Sequence, residues 1–115
     1  MLAMSGVSVA MRMRLCIEDV LRSRVPLFDG VDALLRLAEE LPALADDRDL
    51  ARLREILAGA EHLPIGAARA QWQRAALERL DRELMELERR NQDAVCYCCR
   101  RLLDTLGSLP DAGPR

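Results

Sequence analysis

The chain of 115 residues carries 17 basic and 19 acidic side chains, which gives a formal net charge of −2, and 50% of its residues are hydrophobic. This length suits one domain with its own core, and the hydrophobic content argues against a disordered chain. All 17 basic residues are arginines, but they form no surplus over the acids. The composition therefore argues against a nucleic-acid binder, which normally carries an excess of positive charge.

The residue types favour an all-α protein. Phe28, Trp72 and Tyr97 are the only aromatic residues, so Leu and Ala must fill the interior. Such cores suit helices, whereas sheets are richer in β-branched and aromatic side chains. We expect a three- or four-helix antiparallel bundle, or an extended helical hairpin, with a long C-terminal helix. Residues 1–107 should form a single helical domain and residues 108–115 a disordered tail, because the tail holds two Pro and one Gly.

The N-terminal residues do not have the pattern of a secretory signal. Arg12 and Arg14 follow the first apolar stretch, whereas a signal peptide has its basic residues first. Several Met residues near the beginning leave the true start of the chain open. No segment approaches the roughly 20 uninterrupted apolar residues of a membrane span, so we expect a cytoplasmic protein without one.

Two amphipathic helices are predicted in the first forty residues. The first runs from about Val9 to Arg24 and is closed by Pro26. Asp29 is the predicted start of the second, since an Asp side chain can accept the free N–H groups of a first turn. Pro42 should kink or end this helix, because an interior proline removes a hydrogen bond and clashes with the preceding turn. The apolar face of the first helix holds Met13, Ile17, Val20 and Leu21.

A third helix is predicted after a cluster of acidic residues. Asp46, Asp47 and Asp49 suit the positive end of a helix dipole. The stop signals are Gly59 and the Pro and Gly residues that follow it. The apolar stripe of this helix consists of Leu50, Leu53, Ile56 and Leu57.

The long helix is predicted from about Ala67 to Leu106, a run without Pro or Gly. At about 1.5 Å per residue it would be about 60 Å long, far more than one small domain needs. Its first half has a heptad seam, which we expect to form the core of the chain's own bundle or a coiled-coil homodimer. Asn91 takes the next seam position, where it could fix the register or lie at the rim in solvent. The seam residues are Leu77, Leu80, Leu84, Leu87 and Asn91.

The second half of the long helix has a weaker apolar register. Arg101 interrupts the seam spacing, and the apolar residues that follow are slightly rotated around the helix. A helix that is not fully used inside its own bundle can bind a partner, so this face is the predicted partner-binding surface. Its residues are Val95, Leu102, Leu103 and Leu106.

The four cysteines and the single histidine allow two interpretations. Cys96 and Cys99 form a C-x-x-C, and with Cys16 and His62 they would give four ligands of the kind that zinc takes. A disulfide switch between Cys96 and Cys99 is a related possibility. A zinc site normally shows a second close pair and a turn near the first, which this sequence lacks. The preferred interpretation is small buried hydrophobes, with no metal ion and no cofactor, and a helix-capping role for His62.

One family resemblance bears on function. The segment LLRLAEELPALADDRDLARLREIL, from Leu34 to Leu57, is an apolar helix, a short acidic break and a second helix. Together with LMELERRNQDAV in the long helix it resembles the small helical export chaperones of bacterial flagella, which escort hook-associated or filament-cap proteins to the type III export gate. Leu87, Arg90, Asn91 and Val95 occupy the Asn-containing stretch that is most typical of such chaperones. The resemblance implies a protein that holds an amphipathic segment of a secreted client.

These observations leave three hypotheses for the function. The first is a non-enzymatic helical binding protein with a protein client, because no nucleotide-binding, metalloprotease or nucleophile motif is present. The second is a structural homodimer without a client. The third is a thiol or metal sensor built on the cysteines.

Overall fold

The chain is all-α in the residues that the computed structural model describes, which are 5–63 and 65–109. These ranges contain α1 (Ser5–Leu21), α2 (Leu27–Ala38), α3 (Arg48–Ala58) and α4 (Arg74–Ser108). Two short 3-10 helices, Pro42–Leu44 and Gly66–Gln71, precede α3 and α4. The prediction of an all-α fold with a long C-terminal helix is therefore confirmed. None of the helices in these ranges is long and apolar enough to cross a membrane.

The helices are arranged as a ring. α1 packs against α2 and α4, and α3 packs against α4 and α2, while a smaller contact joins α2 and α4 across the ring. The α1–α2 pair is an antiparallel hairpin, since Val20 lies against Gly30 near the connection while Arg12 and Leu37 line the same groove further from it. The α1–α2 and α3–α4 edges consequently lie on opposite sides of the ring.

α1 and α2 approach each other closely at Gly30. A Cβ atom at this position would lie 2.4 Å from Cγ2 of Val20 and 3.0 Å from Cγ2 of Val25. Only a glycine leaves room for these two valines, so the close packing of α1 on α2 requires a glycine at this position.

The start of α2 differs from the prediction. The helix begins at Leu27, directly after Pro26, whose φ of −58° already suits a helix entry. Asp29 lies within the first turn and accepts a hydrogen bond from the Gly66 backbone N–H at 3.2 Å. It therefore joins α2 to the segment before α4.

The predictions around α3 are confirmed. α2 ends at Ala38, before Pro42, which opens a 3-10 helix and cannot continue the α-helix. Asp47 is the N-cap of α3, and its Oδ1 accepts hydrogen bonds from the backbone N–H groups of Asp49 at 2.8 Å and Leu50 at 3.0 Å. Gly59 is the C-cap.

The long helix starts later than predicted. α4 begins at Arg74, and the segment that was expected to be its first two turns is the 3-10 helix Gly66–Gln71. In a continuous helix Arg69 and Asp81 would be about 18 Å apart. Here the Arg69 guanidinium donates to both carboxylate oxygens of Asp81, at 2.6 and 3.0 Å. This contact is possible only because the segment turns back onto α4.

The C-terminal end of α4 also corrects the predicted boundary. Ser108 is helical, and Leu109 is partly buried against the core, so these two residues do not belong to a tail. The rest of the predicted disordered tail, residues 110–115, lies outside the described residues.

The interior consists of two clusters. The main core joins all four helices and has Met13, Ile17, Leu34, Leu50 and Leu102 among its fully buried side chains. The second cluster is smaller and consists of Phe28, Ala60 and Leu63, with Leu80, Leu84 and Leu87 packed against it. α4 contributes to both, because 35 residues at about 1.5 Å each span about 52 Å, close to the longest dimension of 54 Å.

Candidate functional site

The predicted partner-binding face is in the main core. Val95 and Leu102 have no exposed surface, and Leu106 is 5% exposed. Leu103 is partly buried and packs against the same core. The expectation that this half of α4 stays uncovered is therefore wrong for this fold, because α1 and α3 both pack against α4. Side chains that are already buried in a core cannot form a surface for a client without unfolding.

The heptad seam is the less covered half of the helix. Leu77, Leu80, Leu84 and Leu87 are all partly buried. Three of them, Leu80, Leu84 and Leu87, pack against the second cluster. The hydrogen bond from Arg69 to Asp81 joins the segment before α4 to the side of this seam. His62 Nε2 lies 2.6 Å from Glu83 Oε2.

Asn91 satisfies its amide group within its own helix. Its Nδ2 donates to the Leu87 carbonyl oxygen at 2.8 Å, four residues earlier, and the residue is half-buried. A seam Asn fixes the register of a coiled coil when it pairs with a partner's side chain. A donor that already binds the local backbone does not need that pairing.

The cysteines do not form a metal centre within the described residues. No group of three or more His, Cys, Asp or Glu side chains converges there in a way that could hold a metal ion. His62 contacts Glu83 and lies outside the cysteine cluster. Burial raises the pKa of the Cys99 thiol to about 12, with smaller contributions from neighbouring thiols. A thiol that stays protonated is a poor metal ligand and a poor nucleophile.

Cys16 stands apart from the other three thiols in its surroundings. Its Sγ donates to the Gly30 carbonyl oxygen at 3.4 Å, and the side chain is half-buried. Burial raises the pKa of this thiol, and the nearby Asp19 carboxylate raises it further. The residue thus lies in the wall between α1 and α2, where it behaves as a small polar packing group.

An apolar surface that the sequence analysis missed lies on α1. Met11 and Leu15 are four residues apart, so they neighbour each other on the helix, and they are 54% and 53% exposed. Both lie off the apolar face that packs into the core. Two large apolar side chains at i and i+4, outside the predicted core face, are the signal that could have identified this surface.

Leu15 also lines a groove between α1 and α2. The α1–α2 groove has a volume of about 410 Å³, and its walls and floor are mainly apolar. Charged residues stand at its rim, and two of them have partners: Asp19 pairs with Arg24 at 3.3 Å, and Asp29 accepts the Gly66 N–H. Its apolar lining comes from Leu15, Val25, Pro26, Ala33 and Leu37.

A second, more polar depression lies between α3 and α4. The α3–α4 cleft has a volume of about 650 Å³. At its floor the Asp49 carboxylate, in a residue only 8% exposed, accepts from Arg101 Nε at 3.2 Å on each oxygen. The hydrogen bond to Asp49 raises the pKa of the Arg101 guanidinium, whose side chain is half-exposed. Neither the pair nor the cleft was predicted, because Asp49 was interpreted only as a helix-start signal.

No family model, curated protein or solved structure matches this chain.

Proposed function

We propose that this protein is a non-enzymatic binding protein that holds an amphipathic helical segment of a partner protein in the α1–α2 groove. The observation that carries the proposal is the continuous apolar surface formed by Met11, Leu15 and the groove beside them. Soluble proteins keep large apolar side chains in contiguous exposed patches mainly where another molecule covers them.

The shape of the groove supports a helix as the occupant. Its walls are two antiparallel helices, and an amphipathic helix placed along such a groove buries its apolar stripe at i, i+3, i+4 and i+7. Leu15, Ala33 and Leu37 would contact that stripe. Ala33 is small and exposed, so a third helix can approach α2 closely at this point.

The rim of the groove supports a partner with acidic residues on one flank. Arg12 stands at the edge and makes no ion pair within residues 5–63 and 65–109. Asp19 and Asp29 already have partners within the chain. An acidic side chain of the partner next to Arg12 would give orientation more than affinity, because exposed ion pairs contribute little.

The resemblance to the flagellar export chaperones gives the proposal its most specific version. In that version the partner is a hook-associated or filament-cap protein, and this chain keeps the partner's helical segment unassembled in the cytoplasm. The partner-binding surface then differs from the one predicted on α4. In the homodimer hypothesis, a second copy of this chain would occupy the same groove.

The test uses Leu15→Glu, which places a charge in the apolar surface without touching the core. Wild type and variant are used in parallel to capture partner proteins from the native cells. Where capture of a partner is lost with Leu15→Glu, overlapping peptides of that partner are titrated against the purified wild-type chain. We expect one amphipathic segment to gain helical circular dichroism on binding. Leu15→Glu should weaken its binding by about tenfold or more, because a buried unpaired carboxylate is costly.

Met85→Glu is the matched control. Met85 is 58% exposed on α4 and does not line the groove, so the same change in charge should leave binding intact. Equal loss with both variants, or no loss with either, would refute the proposal. If the chain is dimeric by light scattering and becomes monomeric with Leu15→Glu, the occupant of the groove is a second copy of the chain and not a client. A captured partner unrelated to flagella would refute only the specific version.

A further inference from the structure

The α3–α4 cleft lies on the opposite side of the ring from the α1–α2 groove, and it differs in chemistry. Three arginines converge on it: Arg48 and Arg52 from α3 and Arg101 from α4. Two carboxylates, of Asp49 and Asp93, are the acids in its lining. The lining of the cleft therefore has a positive balance, whereas the chain as a whole carries a net charge of −2.

The charges in the cleft are not equivalent. Asp49 is buried, and both of its carboxylate oxygens accept a hydrogen bond from Nε of Arg101. Arg48 and Arg52 are one helical turn apart, exposed, and without an ion pair in the part of the chain that the structure describes. Arg48 and Arg52 are therefore two exposed arginines of the cleft, and Asp93 is the exposed acid in its lining.

Arg48 and Arg52 lie close together in the first two turns of α3, where Asp47 and Asp49 are the neighbouring acids. Arg48 is the first residue of α3, where the helix dipole disfavours a positive charge, and Arg52 repeats that charge one turn later. An anion bound between the two would remove the mutual repulsion. Guanidinium forks match carboxylates, which they bind in a bidentate manner.

Tyr97 adds an aromatic wall to the cleft. It is 60% exposed, and the Arg101 guanidinium lies 5.6 Å from the centre of its ring. Arg101 therefore contacts both the Asp49 carboxylate and the Tyr97 ring. Tyr and Arg are the residue types that contribute most to protein–protein binding energy, and a pre-organised arginine loses less entropy on binding.

We propose that the α3–α4 cleft binds an acidic segment of a protein, whose carboxylates pair with Arg48 and Arg52 while its backbone or an apolar side chain packs on Tyr97. A single dianionic group is disfavoured because Asp49 and Asp93 lie in the same cleft, whereas carboxylates spaced along a segment can each meet one arginine and avoid both acids. The proposal does not depend on the α1–α2 groove.

The test is a fluorescence-polarisation titration of the full chain with a labelled (Glu-Ala)₆ peptide at low salt, alongside the (Gln-Ala)₆ peptide. We expect the Glu peptide to bind and the Gln peptide not to bind. The double variant Arg48→Gln with Arg52→Gln should weaken binding by about tenfold or more, because binding between close opposite charges depends on both partners. Tyr97→Ala should weaken it several-fold.

The matched control is Arg79→Gln with Arg82→Gln, which removes the same charge from two exposed arginines of α4 away from the cleft. Equal weakening by the two double variants would overturn the proposal in favour of general electrostatic attraction. Absence of binding by the Glu peptide, or equal binding of the Gln peptide, would overturn it as well. Displacement of the peptide by millimolar inorganic phosphate would indicate a site for small anions. Loss of a solution dimer in the double variant Arg48→Gln with Arg52→Gln would indicate that a second copy of the chain occupies the cleft. Either result would also overturn the proposal.

Discussion

Replacing Gly30 by alanine should destabilise the protein, although the same change inside a helix normally stabilises it. Alanine gains about 1 kcal/mol over glycine in a helix interior. Here the new Cβ would lie 2.4 Å from Cγ2 of Val20 and 3.0 Å from Cγ2 of Val25, about 1 Å short of ordinary contact with the first. Overpacking of this kind costs roughly 1 to 3 kcal/mol, so we expect a net loss of about 1 kcal/mol in the free energy of unfolding.

Urea unfolding followed by circular dichroism measures the effect, and Gly59→Ala is the control. Gly59 has a φ of −66°, and its Cβ would meet nothing closer than the Ile56 carbonyl oxygen at 3.4 Å. That variant should be neutral or up to about 1 kcal/mol more stable. Combining Gly30→Ala with Val20→Ala removes the clashing methyl, so the two changes should cost less together than their sum. A Gly30→Ala protein as stable as wild type, or strict additivity in the double variant, would refute the proposed close packing of α1 on α2.

Three further predictions concern the N-cap of α3 and the buried thiol of Cys99. Asp47→Ala should lower the free energy of unfolding by about 1 kcal/mol, because it removes the acceptor of the Asp49 and Leu50 N–H groups. Asp46→Ala, at an exposed neighbour, should change it by less than about 0.5 kcal/mol in the same urea titration. The Cys99 thiol, whose pKa burial raises from 9.0 to about 12, should react with iodoacetamide at pH 8 about a thousandfold more slowly than an unperturbed thiol, as site-resolved mass spectrometry of labelled peptides can measure. Because the unfolded chain loses this proton first, the same shift makes stability fall as the pH rises from about 9 towards about 12. Labelling in the native protein as fast as in denaturant would contradict the burial of this thiol.

The sequence predicts those parts of the fold that depend on neighbouring residues. Met13, Ile17 and Val20 lie at helical spacing, and all three are buried as the pattern indicates. The N-cap at Asp47 and the end of α2 before Pro42 follow from local hydrogen bonding and ring geometry, which the sequence alone determines.

The parts that the sequence did not predict depend on distant residues. Periodicity shows which face of α4 is apolar, but the difference in burial between Leu84 and Leu102 depends on which other helices reach each half. The break before Arg74 has no Pro or Gly to signal it and accompanies the contact of Arg69 with Asp81, twelve residues later. The α1–α2 groove and the α3–α4 cleft are each made by two helices, so the pattern within one helix does not show them. The spacing of Met11 and Leu15 could nevertheless have indicated an apolar surface on α1.

The second cluster gives α4 an uneven resistance to opening along its length. Its first turns are held by Phe28, Ala60 and Leu63, whereas the turns around Leu102 are enclosed by the main core. Local opening needs less free energy where fewer buried contacts must be broken. We therefore expect the N-terminal half of α4 to open at a lower free energy than the half around Leu102, which would briefly expose the leucines of its seam.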